Sequence, residues 1–178
     1  MISWKAHFLY QLDYQHWAND VLFESLDKLG DDARKADQGL FFKSINGTLN
    51  HMLVFHLLWW SRLKGEQPTL RPDQPLHEEY RELKLALKQT VRHFQHWLEA
   101  QPTAFFEGET RYISLSGKER INWVHEVLTH FVNHMAHHRG QISGVATRLG
   151  APTPEMDYLY YRHEMQTSLA NARQGNGR

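Results

Sequence analysis

The chain has 178 residues, 41% of them hydrophobic and 12% aromatic, a composition that is typical of a folded globular protein and excludes a disordered one. Lysine and arginine together number 20, as do aspartate and glutamate, so the sequence lacks the basic excess usual in nucleic-acid-binding proteins. There is no cysteine, which excludes disulfides and thiolate metal sites.

The length fits a single domain, which we place at residues 1–168, with a flexible tail of small and polar residues at 169–178. The first residues lack the pattern of a signal peptide. The longest apolar run, Met52–Trp60, is interrupted by His56 and is too short to cross a bilayer. We therefore expect a cytoplasmic protein with neither nucleic-acid nor membrane partners.

Three long helical patterns occupy the first hundred residues. The first, about Ser3–Leu29, has apolar residues at three- and four-residue steps and ends at Gly30. The second, about Ser44–Lys64, is apolar on most sides, which is typical of a buried helix, and stops at Gly65. The third, about Leu76–Ala100, has one apolar stripe with charged residues on its other faces.

The remaining chain predicts an extended piece and two further helices. Residues 101–117 contain a short extended segment that resembles one arm of a hairpin. Ser116 and Glu119 match a capping box, which predicts that the fourth long helix begins there and runs to about Leu149. A fifth, short helix is predicted to open at Thr153–Glu155. The predicted fold is all-α, a four-helix bundle with a short extra C-terminal helix and a small extended segment before the last long helix.

The fourth long helix carries a cluster of histidines, of which His134 and His138 are four residues apart and share one side. A helix uses this spacing to offer two nitrogen ligands to one transition metal. At about 100° per residue, the apolar stripe centres near Phe131, with His138 about 20° and His134 about 60° from that centre. Two imidazoles on an apolar face are costly unless something satisfies them, but spacing alone also allows two hydrogen-bonded packing residues.

Two other residues of this stretch, His137 and Arg139, are predicted to face outward or to support the loops. His130 and His137 lie about 100° and 120° from the centre of the stripe.

A zinc-type site needs at least three protein ligands, so the third must come from another helix. The second helix offers His51 and His56, which are about 140° apart and are not expected to reach one ion together. Phase favours His56, which shares its side with Leu49, Leu53 and Trp60. His51 also has apolar neighbours, so the pattern leaves both residues open.

Three stretches occur in an order that is familiar from one protein family. They are Tyr14–Asn19, Phe41–Leu53, and Asn133–Gln141 with the following Leu149–Gly150 and Asp157–Tyr161. In these stretches the sequence resembles the DinB-like family of metal-binding four-helix bundles, also called the YfiT-like fold, and the resemblance covers nearly the whole chain.

The resemblance implies an all-α bundle that is often dimeric, so a homodimer is expected. In the family the metal is typically held by one histidine of the second helix and two of the last, which correspond to His51, His134 and His138. This assignment replaces His56, the residue that phase favours. Relatives commonly carry an acidic residue at the position of His56 and an arginine at that of His16.

Three neutral imidazoles leave a divalent ion its charge and at least one open position. Imidazole ligation suits several metals, of which Zn and Ni are expected first and Fe and Cu are alternatives. Some relatives are thiol S-transferases or isomerases that use a low-molecular-weight thiol, and others are regarded as hydrolases. The first hypothesis is therefore a metal-dependent thiol S-transferase or hydrolase that acts on a small-molecule substrate, with an external thiol as a candidate co-substrate and no general base assigned.

Two other functions compete with this hypothesis. A non-catalytic metal-binding stress-response protein would use the ion to stabilise the bundle. A haem protein would also place histidines on helices, but clustered ligands on one helix suit it poorly because haem takes axial ligands from opposite sides.

Overall fold

The computed structural model describes residues 3–175 and consists mainly of six helices. The helices are α1 Trp4–Leu26, α2 Asp31–Lys35, α3 Ile45–Leu63, α4 Tyr80–Glu99, α5 Val124–Arg148 and α6 Tyr158–Gly175. Between α4 and α5 lie a 3-10 helix, Thr103–Glu107, and the antiparallel strands β1 Glu109–Ile113 and β2 Glu119–Trp123.

The four long helices α1, α3, α4 and α5 form the predicted bundle. Helices α1 and α3 each pack against both α4 and α5, so the order around the bundle is α1, α4, α3, α5. The core lies between them and contains buried leucines and phenylalanines from every helix, among them Phe8, Leu22, Leu49, Phe94 and Phe131. The predicted all-α bundle with a small extended segment is confirmed.

The predicted bounds of α1 and α3 are close to the observed ones because polar caps mark both starts. The Ser3 hydroxyl accepts a hydrogen bond from the Ala6 amide at 3.2 Å, and that of Ser44 accepts one from the Gly47 amide at 3.0 Å. Helix α4 begins at Tyr80 and not at Leu76, because the His77 carbonyl accepts a hydrogen bond from the Asn50 side chain instead of from a helical amide.

The predicted capping box at Ser116 and Glu119 is wrong. These residues lie at the turn and the first strand position of a β-hairpin, in which Glu119 pairs with Ile113. Gly117 has φ 77°, a left-handed conformation that glycine adopts without strain and that closes the turn. Helix α5 therefore starts later, at Val124, where Glu126 accepts a hydrogen bond from the Trp123 amide at 3.3 Å.

The C-terminal helix also differs from the prediction. It begins at Tyr158 and has 18 residues, so it is neither as early nor as short as expected. It packs on α1, where Tyr14 donates to the Met156 carbonyl at 2.8 Å and Trp17 donates to Glu164 at 2.9 Å. It enters the segment predicted as a tail, of which residues 176–178 lie outside the described residues.

Between residues 3 and 175, none of the helices combines the length and apolar character that a membrane span requires.

Two of the buried polar residues, Arg139 and His56, lie where the sequence did not predict them. Arg139 is only 2% exposed, so the prediction that it faces outward or supports the loops is wrong. Its guanidinium donates to Gln15 and, at 3.3 Å, to Asn19, acceptors on α1 that the phase of α5 could not reveal. His56 is fully buried between the rings of Phe94 and Phe131, and neither ring nitrogen has a hydrogen-bond partner within the described chain.

The burial of His56 predicts a loss of stability in mild acid. Burial lowers its pKa to about 3, whereas the unfolded chain keeps about 6.5, so below pH 6.5 the unfolded state binds more protons. The free energy of unfolding should therefore fall from pH 6.5 toward pH 3, by at most about 1.4 kcal/mol per pH unit for this group. Thermal melts with a chelator present, at pH 7 down to 4.5, should show a shallower slope for His56→Met than for the parent.

The matched control is His93→Met, at an exposed position of α4, which should keep the parent's slope. Equal slopes for the parent and His56→Met would contradict the burial of a neutral imidazole at this position.

Candidate metal centre

Helices α3 and α5 bring three imidazoles together at the place where they pack. One nitrogen of each of His51, His134 and His138 lies within 4.8 Å of the others. The Nε2 atom of His134 is 3.0 Å from Nε2 of His51 and 3.0 Å from Nε2 of His138. His51 and His138 are buried, and His134 is half-buried. The structure thus brings together all three residues that the family resemblance named.

The other ring nitrogens determine where the lone pairs point. Nδ1 of His51 lies 2.9 Å from the carbonyl oxygen of Pro72, which can only accept, so Nδ1 carries the proton and Nε2 keeps its lone pair. Nδ1 of His138 lies 2.8 Å from Oε1 of Gln141, and this contact fixes the same tautomer. Both free lone pairs are therefore on the nitrogens that face His134.

A buried asparagine holds the loop that carries the Pro72 carbonyl. The Asn50 side chain accepts hydrogen bonds from the amides of Leu76 and His77 at 2.8 and 3.0 Å. Its amide nitrogen donates to the His77 carbonyl at 2.9 Å. Asn50 is next to His51 in α3, so one turn of helix positions both a candidate ligand and the loop that orients it.

Two phenylalanines hold the imidazoles from the apolar side. The Phe42 ring stacks on His51 and the Phe55 ring stacks on His134, each with ring centroids 3.8 Å apart. Phe42 lies in a tight turn before α3 that passes close to the first turn of the helix. A Cβ atom at Gly47 would clash with the Phe42 carbonyl oxygen, so this approach requires glycine.

Burial keeps the three imidazoles neutral. Desolvation, together with the neighbouring imidazoles, lowers the pKa of His134 to about 3. Desolvation lowers the pKa of His138 to about 4 and also lowers that of His51. At neutral pH no proton competes for their lone pairs, which is the state that metal coordination requires.

The donor set fits a divalent transition metal. Two nitrogens bound at about 2.0–2.1 Å to one tetrahedral ion are about 3.3 Å apart. The observed Nε2 separations of 3.0 Å are close to this value. Without a shared cation, neighbouring unprotonated nitrogens at this distance would face each other with their lone pairs, an arrangement that hydrogen bonding alone satisfies only in part.

The other histidines occupy different places. His56 lies in the core and is not part of this cluster, so the preference that phase gave to it over His51 is wrong. The phase argument failed because two sides of α3 are buried, one by α4 and the other by α5. His137 is exposed, as predicted, and His130 is exposed as well.

Sequence reasoning missed the residues that support the three imidazoles. Gln141 is one turn after His138, so its i,i+3 spacing could have identified it. Pro72 and Phe42 reach the site from loops, and nothing local in their sequence indicates this.

A cavity of about 270 Å³ opens beside the cluster, with His51, His134 and His130 in its wall and an otherwise mainly apolar lining. A larger cavity, of about 960 Å³, lies elsewhere and is lined by charged side chains, several of which pair with each other, such as Arg34 with Asp31 and Lys84 with Asp27. The smaller cavity is the one that can present a molecule to the imidazoles.

Comparison with known proteins places the chain in a family. The chain is 27% identical to Protein DinB of Bacillus subtilis (strain 168) over an alignment of 182 residues, which covers 93% of this chain and 99% of that protein. The fold is similar to that of YfiT from Bacillus subtilis, described as a probable metal-dependent hydrolase with an unusual four-helix bundle topology. That match has a TM-score of 0.61 and 14% identity, and it covers 79% of this chain and 86% of the other. Residues 5–172 match the sequence model of the DinB family, and the chain therefore belongs to this family.

Proposed function

We propose that this protein binds a divalent transition metal, Zn or Ni, through His51, His134 and His138. We further propose that the metal centre acts on a small molecule, by hydrolysis or by transfer to a thiol. The observation that carries the proposal is the convergence of the three imidazoles, two of which have their free lone pairs fixed by acceptors at Nδ1.

The surroundings support a catalytic use of the site. When bound, such an ion supplies a Lewis acid with an open position that can activate a water or a thiol. The chain's own residues keep the imidazoles neutral, exclude water on the side of Phe42 and Phe55, and leave one side open to the cavity. The likeness to YfiT, described as a probable metal-dependent hydrolase, supports the same chemistry. Because the chain has no cysteine, any thiol must come from another molecule.

A second candidate function is non-catalytic metal binding in a stress-response protein. The cluster joins α3 to α5, so an ion held there would connect two helices of the bundle and stabilise it. The external thiol and the homodimer that the resemblance implies stay predictions.

Removing the central imidazole should abolish metal binding. His134→Ala removes the nitrogen that lies 3.0 Å from both other Nε2 atoms, and two ligands do not make a closed zinc-type site. Elemental analysis should find about one ion per chain in the parent and less than a tenth of that in His134→Ala.

The matched control is His137→Ala, at an exposed position of the same helix, which should keep the parent's metal content. Stoichiometric metal in His134→Ala would refute the ligand assignment.

A screen of ester, amide and thiol-transfer substrates then separates the two functions. Turnover that rises with metal occupancy supports the enzyme, and a higher melting temperature without turnover supports the non-catalytic protein.

Gly47→Ala should weaken metal binding through the position of Phe42. Alanine normally stabilises a helix relative to glycine, but here its Cβ forces the Phe42 carbonyl away and moves the ring that stacks on His51. We expect at least tenfold lower metal affinity, measured by competition with a chelator, and about 1–3 kcal/mol lower stability from overpacking.

Gly144→Ala is the matched control, because a Cβ at this position of α5 meets nothing within 4 Å. It should leave metal affinity unchanged and raise stability by up to about 1 kcal/mol. Equal metal affinity in the parent and in Gly47→Ala would show that Phe42 does not position His51.

The acceptor at His138 should influence metal affinity without touching the metal. Gln141→Leu removes the oxygen that lies 2.8 Å from Nδ1, so the ring loses its fixed tautomer and orientation. Loss of such a partner typically lowers metal affinity about 10–100-fold. Gln141→Glu keeps an acceptor and should retain or increase the affinity measured by the same chelator competition. Equal losses in both variants would contradict this role.

A further inference from the structure

One side of α3 connects the candidate metal centre with a buried arginine. His51, Val54, Phe55, Leu58, Trp59 and Arg62 follow each other at steps of three, one, three, one and three residues, so they share one side of the helix. All six line the cavity of about 270 Å³. Over 11 residues the helix rises about 16 Å, and helical side chains lean toward the N-terminus, which brings the guanidinium back along the cavity.

Arg62 is a buried cation without an acidic partner. It is 6% exposed, and within residues 3–175 no carboxylate lies within 4.0 Å of its guanidinium. Nη2 donates to the Ile113 carbonyl at 3.2 Å, whereas Nε lacks a hydrogen-bond partner in the described chain. Desolvation lowers its pKa. A buried charge is normally paired, so this guanidinium has the capacity to accept an anion.

Aromatic faces position the guanidinium but do not neutralise it. Its central carbon is 4.9 Å from the Trp59 ring centroid and 4.6 Å from that of Tyr112. These contacts stabilise the cation and fix the plane of its donors, which matches the two oxygens of a carboxylate. One guanidinium balances a single negative charge, which favours a carboxylate over a phosphate monoester with its charge of about −1.5 to −2.

The rest of the cavity wall favours a ligand whose remaining part is apolar. Val54, Phe55, Leu58 and Trp59 line it on α3, and Leu115 from the hairpin turn also lines it. The volume corresponds to about nine water molecules at roughly 30 Å³ each, enough for a small aromatic or branched aliphatic molecule. The ends of the cavity therefore offer two different chemistries, a cation at Arg62 and the imidazoles at His51 and His134.

We infer that this cavity is the substrate site, and that it takes a small carboxylic acid with an apolar body whose carboxylate is held by Arg62. The inference rests on the proposed function only for the part of the substrate that would react at the metal. The anion site itself is inferred from Arg62 and the cavity alone. Arg62 is in this sense a residue that determines specificity and lies apart from the candidate ligands.

The test compares phenylacetate with phenylacetamide, which have the same shape but differ in charge. Calorimetric titration of the metal-loaded protein should detect phenylacetate and give at least tenfold weaker binding of phenylacetamide. In Arg62→Met, phenylacetate should lose at least tenfold in affinity, and phenylacetamide should be unchanged. Arg62→Lys, which keeps the charge but not the planar pair of donors, should recover part of the loss. Arg111→Met, at an exposed position of the hairpin, is the matched control and should bind phenylacetate as the parent does.

Repeating the titration after chelation separates this inference from the proposed function. Binding that persists without metal and still depends on Arg62 supports the anion site, whatever the elemental analysis shows. Binding that needs metal and ignores Arg62→Met would place the carboxylate on the ion, and this result would overturn the inference while leaving the metal centre intact. Equal affinity for the acid and the amide, or no binding of either to a folded protein, would also overturn it.

Discussion

The packing of α3 against α5 is the constraint on which the candidate site depends. Each helix alone presents an incomplete set of donors, one imidazole from α3 and two from α5. Only when the core closes do three neutral imidazoles lie with nitrogens 3.0 Å apart around His134. Grouping unprotonated rings in this way is unfavourable by itself, because desolvation and lone-pair contacts both oppose it. The apolar core of the bundle therefore sustains an arrangement that a bound cation would relieve.

The orientation of the imidazoles comes from segments with no metal-binding character of their own. Asn50 ties down the loop whose Pro72 carbonyl fixes the tautomer of His51. Gly47 permits the close turn that lays Phe42 on the same ring. Gln141 acts on His138 in the same way from within α5. Such supports convert three nearby side chains into a set of aimed donors, because an imidazole that can rotate or change tautomer binds metal more weakly.

The buried polar groups of this bundle differ in how they are satisfied. Arg139 donates to amide oxygens of α1 and so links two core helices. His56 is enclosed by aromatic rings and stays neutral, so it packs in the core as an apolar side chain would. Arg62 has aromatic faces and one carbonyl but faces a cavity. Residues that depart from the usual pairing of buried charges are found most often at functional sites. Among these three residues, Arg62 is the one that such a departure points to.

Periodicity by itself determined that the chain is a helical bundle, where α1 and α3 begin and end to within a few residues, and that His134 and His138 look inward, because these features depend on residues within one or two turns. The family motif, and not phase, selected the third histidine of α3. Only the tertiary structure decided that His51 meets the pair, since two sides of α3 are buried and a single helix cannot show which of its neighbours carries imidazoles. It also decided that a serine and a glutamate three residues apart belong to a hairpin, and that a loop carbonyl and an arginine complete the surroundings of the site. Contacts between segments far apart in sequence depend on how the helices pack, and no local pattern encodes them.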